Sequence, residues 1–591
     1  MKITYMDGQR FYKALVAGGQ GVIERQRELN RLNVFPVPDG DTGTNMAATM
    51  RSVMERTEVS SSLAETARSI ADAALTGARG NSGMILAQFF QGISDAIEDA
   101  KTVTASRFVL ALHQSVIRLY NTVSAPVEGT ILTVMREWIA SMQALVTKSN
   151  DFVQLLRESY PAAKQALAQT PDQLLVLKEN GVVDAGAKGF VTLLESILKM
   201  TERGAFRQAE SLLPELPQGT IHVSEPLADL SRRYCTEALL TDIMSIDEMK
   251  ECCQSLGTSV QVAGSTRIAR VHLHTNDPAQ AIHRLRSFGR IREQKVEDMH
   301  RQFDMIHRPQ ARIALLTDST CDLPQELIDR YQIHVVPLTI QADDEQYLDR
   351  LTITPNQFYR LLDESGAYPT TSQPPLKLLQ QHYEKLAAHY DSIIAIHVSQ
   401  ELSGTYQASL QASKVVEGKA VTVINSRHLS GSLGLIVWKA AEAIEQGKDH
   451  GQVVDVISHA LEQARILVSV PTLRYMVRGG RVSPLKGWLA NALNLKPIVS
   501  LNEHGKSVLF GQAFSTAANR KKIFHMIRTM HEQKPIERYV LLHAHAPQLV
   551  REWEEVLDGI VGQRPAYTID ISPAIGLHAG IGAISIATIQ T

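Results

Sequence analysis

Cysteine is scarce. Four residues (Cys235, Cys252, Cys253 and Cys321) in a chain of 591 cannot build a disulfide framework. Long apolar runs are missing as well: no uncharged stretch approaches the roughly 20 residues of a membrane span. The opening MKITYMDGQRFYKALVAGG places Asp7, Arg10 and Lys13 where a signal peptide needs an apolar segment. The expectation is a cytoplasmic protein without stable membrane insertion. Excess charge is absent too, since 60 Lys and Arg face 62 Asp and Glu, for a net charge of −2. Nothing here supports a nucleic-acid or membrane surface held by charge alone. With 44% hydrophobic and 21% charged residues the composition is that of an ordinary globular chain. Its length calls for about three or four domains.

Residues 1–202 are expected to be helical almost throughout. SLAETARSIADAALTGARG and RFVLALHQSVIRLYNTV repeat apolar residues at three- and four-residue spacing, between short Gly-, Asp- and Asn-rich loops. A helical bundle or barrel with its chemistry on the loops would have this pattern. Residues 203–226, with three prolines in PELPQGTIHVSEP, are expected to form a linker. Residues 227–309 mix strand-like and helical pieces, as in a small α+β domain. From 310 to 591, ARIALLTDST, IHVVPLTI, SIIAIHVSQ, AVTVINS and ARILVSVPT are short β-branched runs, most of them followed by a helical stretch. That is the βα alternation of an open α/β sheet, whose ligands bind at the carboxyl ends of the strands.

The densest chemical signal lies at Asn33–Met46, where Asp39 and Asp41 flank one glycine and Thr42, Gly43, Thr44 and Asn45 follow at a helix start. Two convergent carboxylates suit magnesium, which prefers oxygen ligands shared with substrate phosphates. A helix N-terminus with free N–H groups suits the phosphates themselves. A bare Asp-Gly turn is the competing reading. Two further loops, Gly77–Gly83 (GARGNSG, with Asn81 and Ser82) and Val183–Gly189 (VDAGAKG, with Asp184), favour a site, and Ser124–Ile131 is a candidate fourth loop. Walker A spacing is absent.

In the middle region Cys235 accompanies His272 and His274, two residues apart on a strand and therefore on one face. One thiolate and two imidazoles suit zinc with an open fourth position. Surface histidines beside a buried cysteine would look the same in sequence. Cys252 and Cys253 fall in a helical stretch without an assigned role.

The C-terminal region carries Thr317–Thr320 (TDST), Thr370–Pro375 (TTSQPP), Leu402–Tyr406 (LSGTY), Arg478–Ser483 (RGGRVS) and Gly576–Gly580 (GLHAG). Ser403 stands at a helix N-terminus, where a hydroxyl and free N–H groups can hold a carboxylate or merely cap the helix. Arg481 supplies charge beside backbone-exposing glycines. A serine hydrolase built on Ser403 and His578 would need a G-x-S-x-G elbow, and none surrounds Ser403.

DGDTGTNM with GARGNSG resembles the nucleotide-binding domain of the dihydroxyacetone kinase family over roughly residues 8–200. The resemblance implies a helical barrel in which Asp39 and Asp41 hold magnesium against ATP. Thr42, Gly43, Thr44, Asn45, Asn81, Ser82 and Asp184 would line the nucleotide, and Asn33 stands nearest the place of a third metal contact. The following region resembles the kinase component of bacterial fatty acid kinase, which implies zinc at Cys235, His272 and His274. TDST, TTSQPP, LSGTYQAS, RGGRVS and GLHAG, in that order, resemble the DegV family of fatty-acid-binding proteins. That resemblance implies two α/β subdomains around an acyl tunnel, with Thr371 and Ser403 on the carboxylate and Arg481 and His578 nearby; by their chemistry these two are the candidates for steadying charge during transfer.

The expected activity is therefore ATP-dependent phosphorylation of a bound fatty acid to acyl phosphate. The expected partners are the fatty acid, a second copy of the chain and an acyltransferase receiving the product. A nucleotide-regulated lipid carrier or sensor, or a kinase for another carboxylate or hydroxyl substrate, would use the same motifs.

Overall fold

The computed structural model describes residues 2–35, 40–123, 126–202, 231–342, 345–364, 368–481 and 495–591. Asp39, the start of the Ser124–Ile131 loop, the 203–226 linker and Val482–Ser483 lie outside them. Two compact units emerge, Met1–Phe303 and Asp304–Thr591.

The first unit begins with long amphipathic helices, among them Gly8–Glu24, Thr42–Arg56, Leu63–Gly77, Gly80–Ile97, Ala105–Thr122, Ile131–Val146, Phe152–Ala168 and Ala185–Glu202. Their starts are chemically marked. Asp7, Ser62, Thr104 and Asp151 each accept a first-turn backbone N–H, which satisfies donors that the helix itself cannot. Their apolar faces meet in one core built around Phe11, Met46, Ile70, Phe89, Trp138 and Phe190. The Trp138 indole, buried there, donates to Ser159 at 3.0 Å.

A four-stranded antiparallel sheet follows in the order Thr258–Gly264, Ile268–Thr275, Tyr234–Thr241, Arg290–Asp298. Helices Ile246–Leu256 and Pro278–Leu285 cover one face. The other face turns toward the helical region, and Arg270 ties the two together. Its guanidinium is 1% exposed and donates to the Leu75 and Thr76 carbonyls, each at 2.7 Å, at the end of helix Leu63–Gly77. Glu237 at 3.6 Å and Glu293 at 3.3 Å balance its charge. Burial pulls its pKa down to about 10, still far above neutrality.

The second unit is α/β. A parallel sheet runs Ala420–Asn425, Ser392–His397, Ile313–Asp318, His334–Val336, beside a three-stranded antiparallel one of Glu345–Leu348, Thr339–Ala342 and Thr370–Ser372. IHVVPLTI thus splits between two sheets at Pro337, which has no N–H to donate. A six-stranded sheet runs Ser507–Ala513, Lys496–Leu501, Ala464–Ser469, Ile584–Gln590, Ile536–His543, Thr568–Asp570, antiparallel except for its last pair. ARILVSVPT, grouped by its sequence with the βα alternation, belongs to this six-stranded sheet and runs antiparallel to both neighbours. A fully buried apolar run looks the same with either kind of neighbour. No helix among the described residues is long and apolar enough to cross a membrane.

Replacing Arg270 by Ala should remove one of the cations that balance the buried Glu237 and leave two helix-end carbonyls without donors. We expect a loss of about 3–5 kcal/mol in urea unfolding of the full chain, confined to the transition of the first unit. A loss below about 1 kcal/mol would mean that the joint depends on something else.

Candidate active site

The alternation of the four-stranded sheet decides what faces the helical region. Cys235 pairs with His274 on one side and Glu297 on the other, and Glu237 pairs likewise with His272 and Lys295. Two cross-strand ranks of polar side chains therefore stand on one face, His274–Cys235–Glu297 and His272–Glu237–Lys295, with Gln261 extending the second beside His272. Opposite them lie the helix starts of the glycine-rich loops. Gly80 N–H donates to Glu237 Oε1 at 2.7 Å, and Gln261 Nε2 donates to Asn81 Oδ1 at 2.5 Å. The result is one narrow cleft lined by Asn33, Asp41, Thr42, Asn45, Asn81 and Ser82 on the helical side and by both ranks on the other.

Five of the residues expected to hold nucleotide or metal thus converge: Asp41, Thr42, Asn45, Asn81 and Ser82, with Asn33 beside them. Asn45 Nδ2 donates to Asp41 Oδ1 at 2.7 Å, which orients the carboxylate. Three others are placed differently. Gly43 seats against helix Gln26–Arg31, where an added Cβ would collide with the Gln26 carbonyl. Thr44 Oγ1 accepts from Gln26 and Asn30 at 3.1 and 3.0 Å, while its N–H donates to Asn30 at 2.9 Å. Asp184 accepts Ala187 N–H at 2.7 Å in the first turn of its helix, and burial pushes its pKa up to about 6. The described part of the Ser124–Ile131 loop also serves its own helix: Glu128 accepts from Thr133 at 2.7 Å and from Arg136 at 2.5 Å. These residues shape the walls and do not line the cleft.

Cys235 and the two histidines come together, with one ligand atom from each lying within 4.8 Å of the others. Cys235 Sγ is 3.7 Å from His272 Nδ1, and His272 Nε2 is buried without a hydrogen-bond partner. One thiol and two imidazoles with ligand atoms this close form a donor set that fits zinc. Glu237 lies 3.5 Å from His272 Nδ1. Burial alone would raise its carboxyl, but the His272 hydrogen bond and the charges of Lys295, His272 and Arg270 outweigh that and hold it ionised. Burial opposes the Lys295 charge as well, and Glu297 and Glu237 reverse the effect and keep it protonated. Sequence reading missed Glu237, Gln261, Lys295 and Glu297. The signal was present as the two-residue spacing in YCTE and QKVE, the same one that made HLH conspicuous.

The second unit contains a separate cavity of about 360 Å³, within the roughly 300–1,000 Å³ of small-molecule sites. Its body is apolar, lined by Val398, Leu429, Ile466, Val468, Val499 and Leu542, and Thr371, Ser403, Arg481 and His578 join its wall. Every residue expected to hold a carboxylate is therefore at one cavity. Ser403 Oγ pairs with Thr405 Oγ1 at 2.8 Å at the start of helix Thr405–Ala412. Arg481 donates to the Leu402 carbonyl at 3.2 Å, which ties its guanidinium to the Ser403 turn. His578 Nε2 lies 3.4 Å from Thr371 Oγ1, its Nδ1 is buried without a partner, and the ring seats where a side chain on Gly479 would stand. Ser403 and His578 thus face other partners, and the nucleophile–base pairing of a hydrolase is not formed.

Burial, and then the Arg481 charge, pull the His578 pKa down to about 3. The imidazole is therefore neutral near pH 7. It orients Thr371 and offers a hydrogen bond, and Arg481 alone provides positive charge among these four.

The fold and these sites define a class: a helical region with a carboxylate-lined polar cleft, followed by an α/β unit with an apolar cavity. The chain belongs to the DegV family, whose model (uncharacterised protein, DegV family) matches residues 312–591. A DegV domain-containing protein of Clostridium acetobutylicum is 32% identical over 276 residues, 46% of this chain and 98% of that protein. The DAK2 domain model matches residues 36–199, and the model for the FakA-like middle domain of fatty acid kinase matches 231–306. Protein YloV of Bacillus subtilis is 33% identical over 320 residues, 52% of this chain and 58% of YloV, so the chain spans little more than half the length of such relatives. Among solved structures, a DegV family protein from Thermus thermophilus described for fatty acid binding is 29% identical. It covers 47% of this chain and 100% of its own, with a TM-score of 0.44.

Because neutral His578 is favoured by the fold, its contribution to stability is complete above the unfolded pKa of about 6.5. That contribution is lost as pH falls toward the folded value of about 3. His578→Gln should flatten the acid limb of the urea-stability profile in this window. An unchanged slope would show that the ring titrates as though in solvent.

Proposed function

We propose that this chain transfers the γ-phosphoryl group of ATP to the carboxylate of a fatty acid, giving acyl phosphate and ADP. The observation that carries this reading is the presence, in one polypeptide, of the Asp41 cleft and of an apolar cavity whose polar wall is made by Thr371, Ser403 and Arg481. The DAK2 match and the FakA-like middle-domain match support the kinase part.

Asp41 and Asp39 would hold magnesium, which when bound supplies charge neutralisation for the phosphates. The residues fit that ion: hard oxygen donors next to a helix start, with Asn45 fixing one carboxylate. Cys235, His272 and His274 would hold zinc, which when bound polarises an oxygen ligand. Thr42, Asn45, Asn81 and Ser82 would position the nucleotide. On the acceptor side, the Thr371 and Ser403 hydroxyls and the Arg481 guanidinium would bind the carboxylate while the acyl chain fills the cavity, and neutral His578 keeps Thr371 aimed. A carboxylate oxygen forms the new bond to the γ-phosphorus. The β,γ-bridging P–O bond breaks, and its electron pair leaves with ADP. The carboxylate is already ionised near neutrality, so no base has to remove a proton. Catalysis is then positioning and electrostatics. An acyl phosphate is an activated donor that an acyltransferase would consume. ATP as donor accords with a cytoplasmic setting, and a second copy of the chain is the other partner this reading expects.

Purified protein, ATP, magnesium and oleate should give an acyl hydroxamate when hydroxylamine is added. Asp41→Ala should lower that yield at least about 100-fold with oleate affinity unchanged. Ser403→Ala should weaken oleate binding by about tenfold, one charged hydrogen bond, and leave nucleotide affinity as it is. Oleate and nucleotide binding without any hydroxamate would overturn the kinase reading in favour of a nucleotide-regulated lipid carrier.

A further inference from the structure

A transferring phosphoryl group carries negative charge that the surrounding protein must offset. The described wall of the Asp41 cleft is rich in carboxylates, with Asp41, Glu237 and Glu297 all on it. Lys295 is the one lysine or arginine among the described residues that line it. The nearby guanidiniums of Arg270 and Arg79 do not line that wall: Arg270 donates to the Leu75 and Thr76 carbonyls, and Arg79 pairs with Glu293 at 3.3 Å. Lys295 keeps 29% of its side chain accessible and is held by Glu297 at 2.6 Å. It sits opposite Glu237 in the strand register, and Glu237 in turn grips Gly80 at the head of the Asn81–Ser82 loop. Lys295 and Asp41 line the same cleft.

We infer that Lys295 is a catalytic residue whose ammonium contacts the transferring phosphoryl group from the side opposite Asp41. The inference rests on the nucleotide reading of this cleft. In the transfer, the acceptor oxygen bonds to the γ-phosphorus as the β,γ-bridging P–O bond breaks and its electron pair leaves on ADP. Lys295 offsets charge on the phosphoryl oxygens and remains protonated throughout. Glu297 and Glu237 hold the ammonium in place, so little reorganisation is needed when the phosphoryl group moves. A purely structural lysine, serving only as counter-ion to these carboxylates, would contribute equally to every nucleotide state.

The test compares the affinity of the full chain for magnesium-ADP with its affinity for magnesium-ADP plus aluminium fluoride, a mimic of the group in flight. Unfolding temperature and bound-metal content are measured on the same samples. Lys295→Gln should weaken the aluminium fluoride complex by about 100-fold and change magnesium-ADP affinity by less than about threefold, with metal content unchanged. Lys295→Arg should recover part of the loss. Equal weakening of both complexes, no weakening of either, or a loss that follows the unfolding temperature in both variants would overturn the assignment. Wild-type protein that binds the mimic yet makes no acyl hydroxamate would overturn the carboxylate acceptor alone and leave Lys295 to be judged by the mimic. Wild-type protein that binds no magnesium-ADP would overturn both.

Discussion

The first unit is closed by buried polar contacts between sheet and helices: the Gly80 N–H donates to the Glu237 carboxylate, and Arg270 donates to the Leu75 and Thr76 carbonyls. A buried carboxylate is tolerable only where donors and cations surround it, and here His272, Lys295 and Arg270 do so. The same carboxylate thereby fixes the sheet face against the head of a glycine-rich loop. The cleft follows from that closure. Cys235 and the two histidines come to face Asp41 and Asn45, and the polar ranks of the sheet become one wall of a site whose other wall is helical.

The cavity of the second unit is organised differently. Its polar end combines two hydroxyls, one guanidinium tied to the Leu402 carbonyl and one imidazole kept neutral by burial. Such a set recognises an anion without sequestering a full buried ion pair, whose desolvation can exceed its mutual attraction. The apolar remainder would supply most of the favourable contact to the acyl chain of the proposed reaction. The seat of the His578 ring also explains Gly479, since only a missing side chain lets the ring approach so closely.

Local chemistry made much of this legible beforehand. DGDTGTN, GARGNSG and HLH could each be read from residue type and spacing. The helical texture of the first 202 residues could be read from three- and four-residue periodicity. Thr371, Ser403, Arg481 and His578 stood out because polar residues in segments expected to be loops have few structural explanations, although Thr371 lies in a strand and His578 in a helix. Gly43 and Thr44 show the limit: their types suit a phosphate site, yet both are committed to helix Gln26–Arg31. ARILVSVPT shows another, because an apolar strand does not announce whether its neighbours run parallel.

The sequence by itself determined the kinds of group available, the order of the domains and which residues share a strand face, because these depend on side-chain chemistry and on a fixed two-residue pleat. Only the tertiary structure decided that the middle-region thiol and imidazoles share a cleft with the Asp41 loop, that Lys295 and Glu237 belong to it, and that His578 is neutral. Those outcomes depend on strand register across 37 to 62 residues of chain between Cys235, His272 and Glu297, and on burial, which is a property of the whole fold and of no single segment.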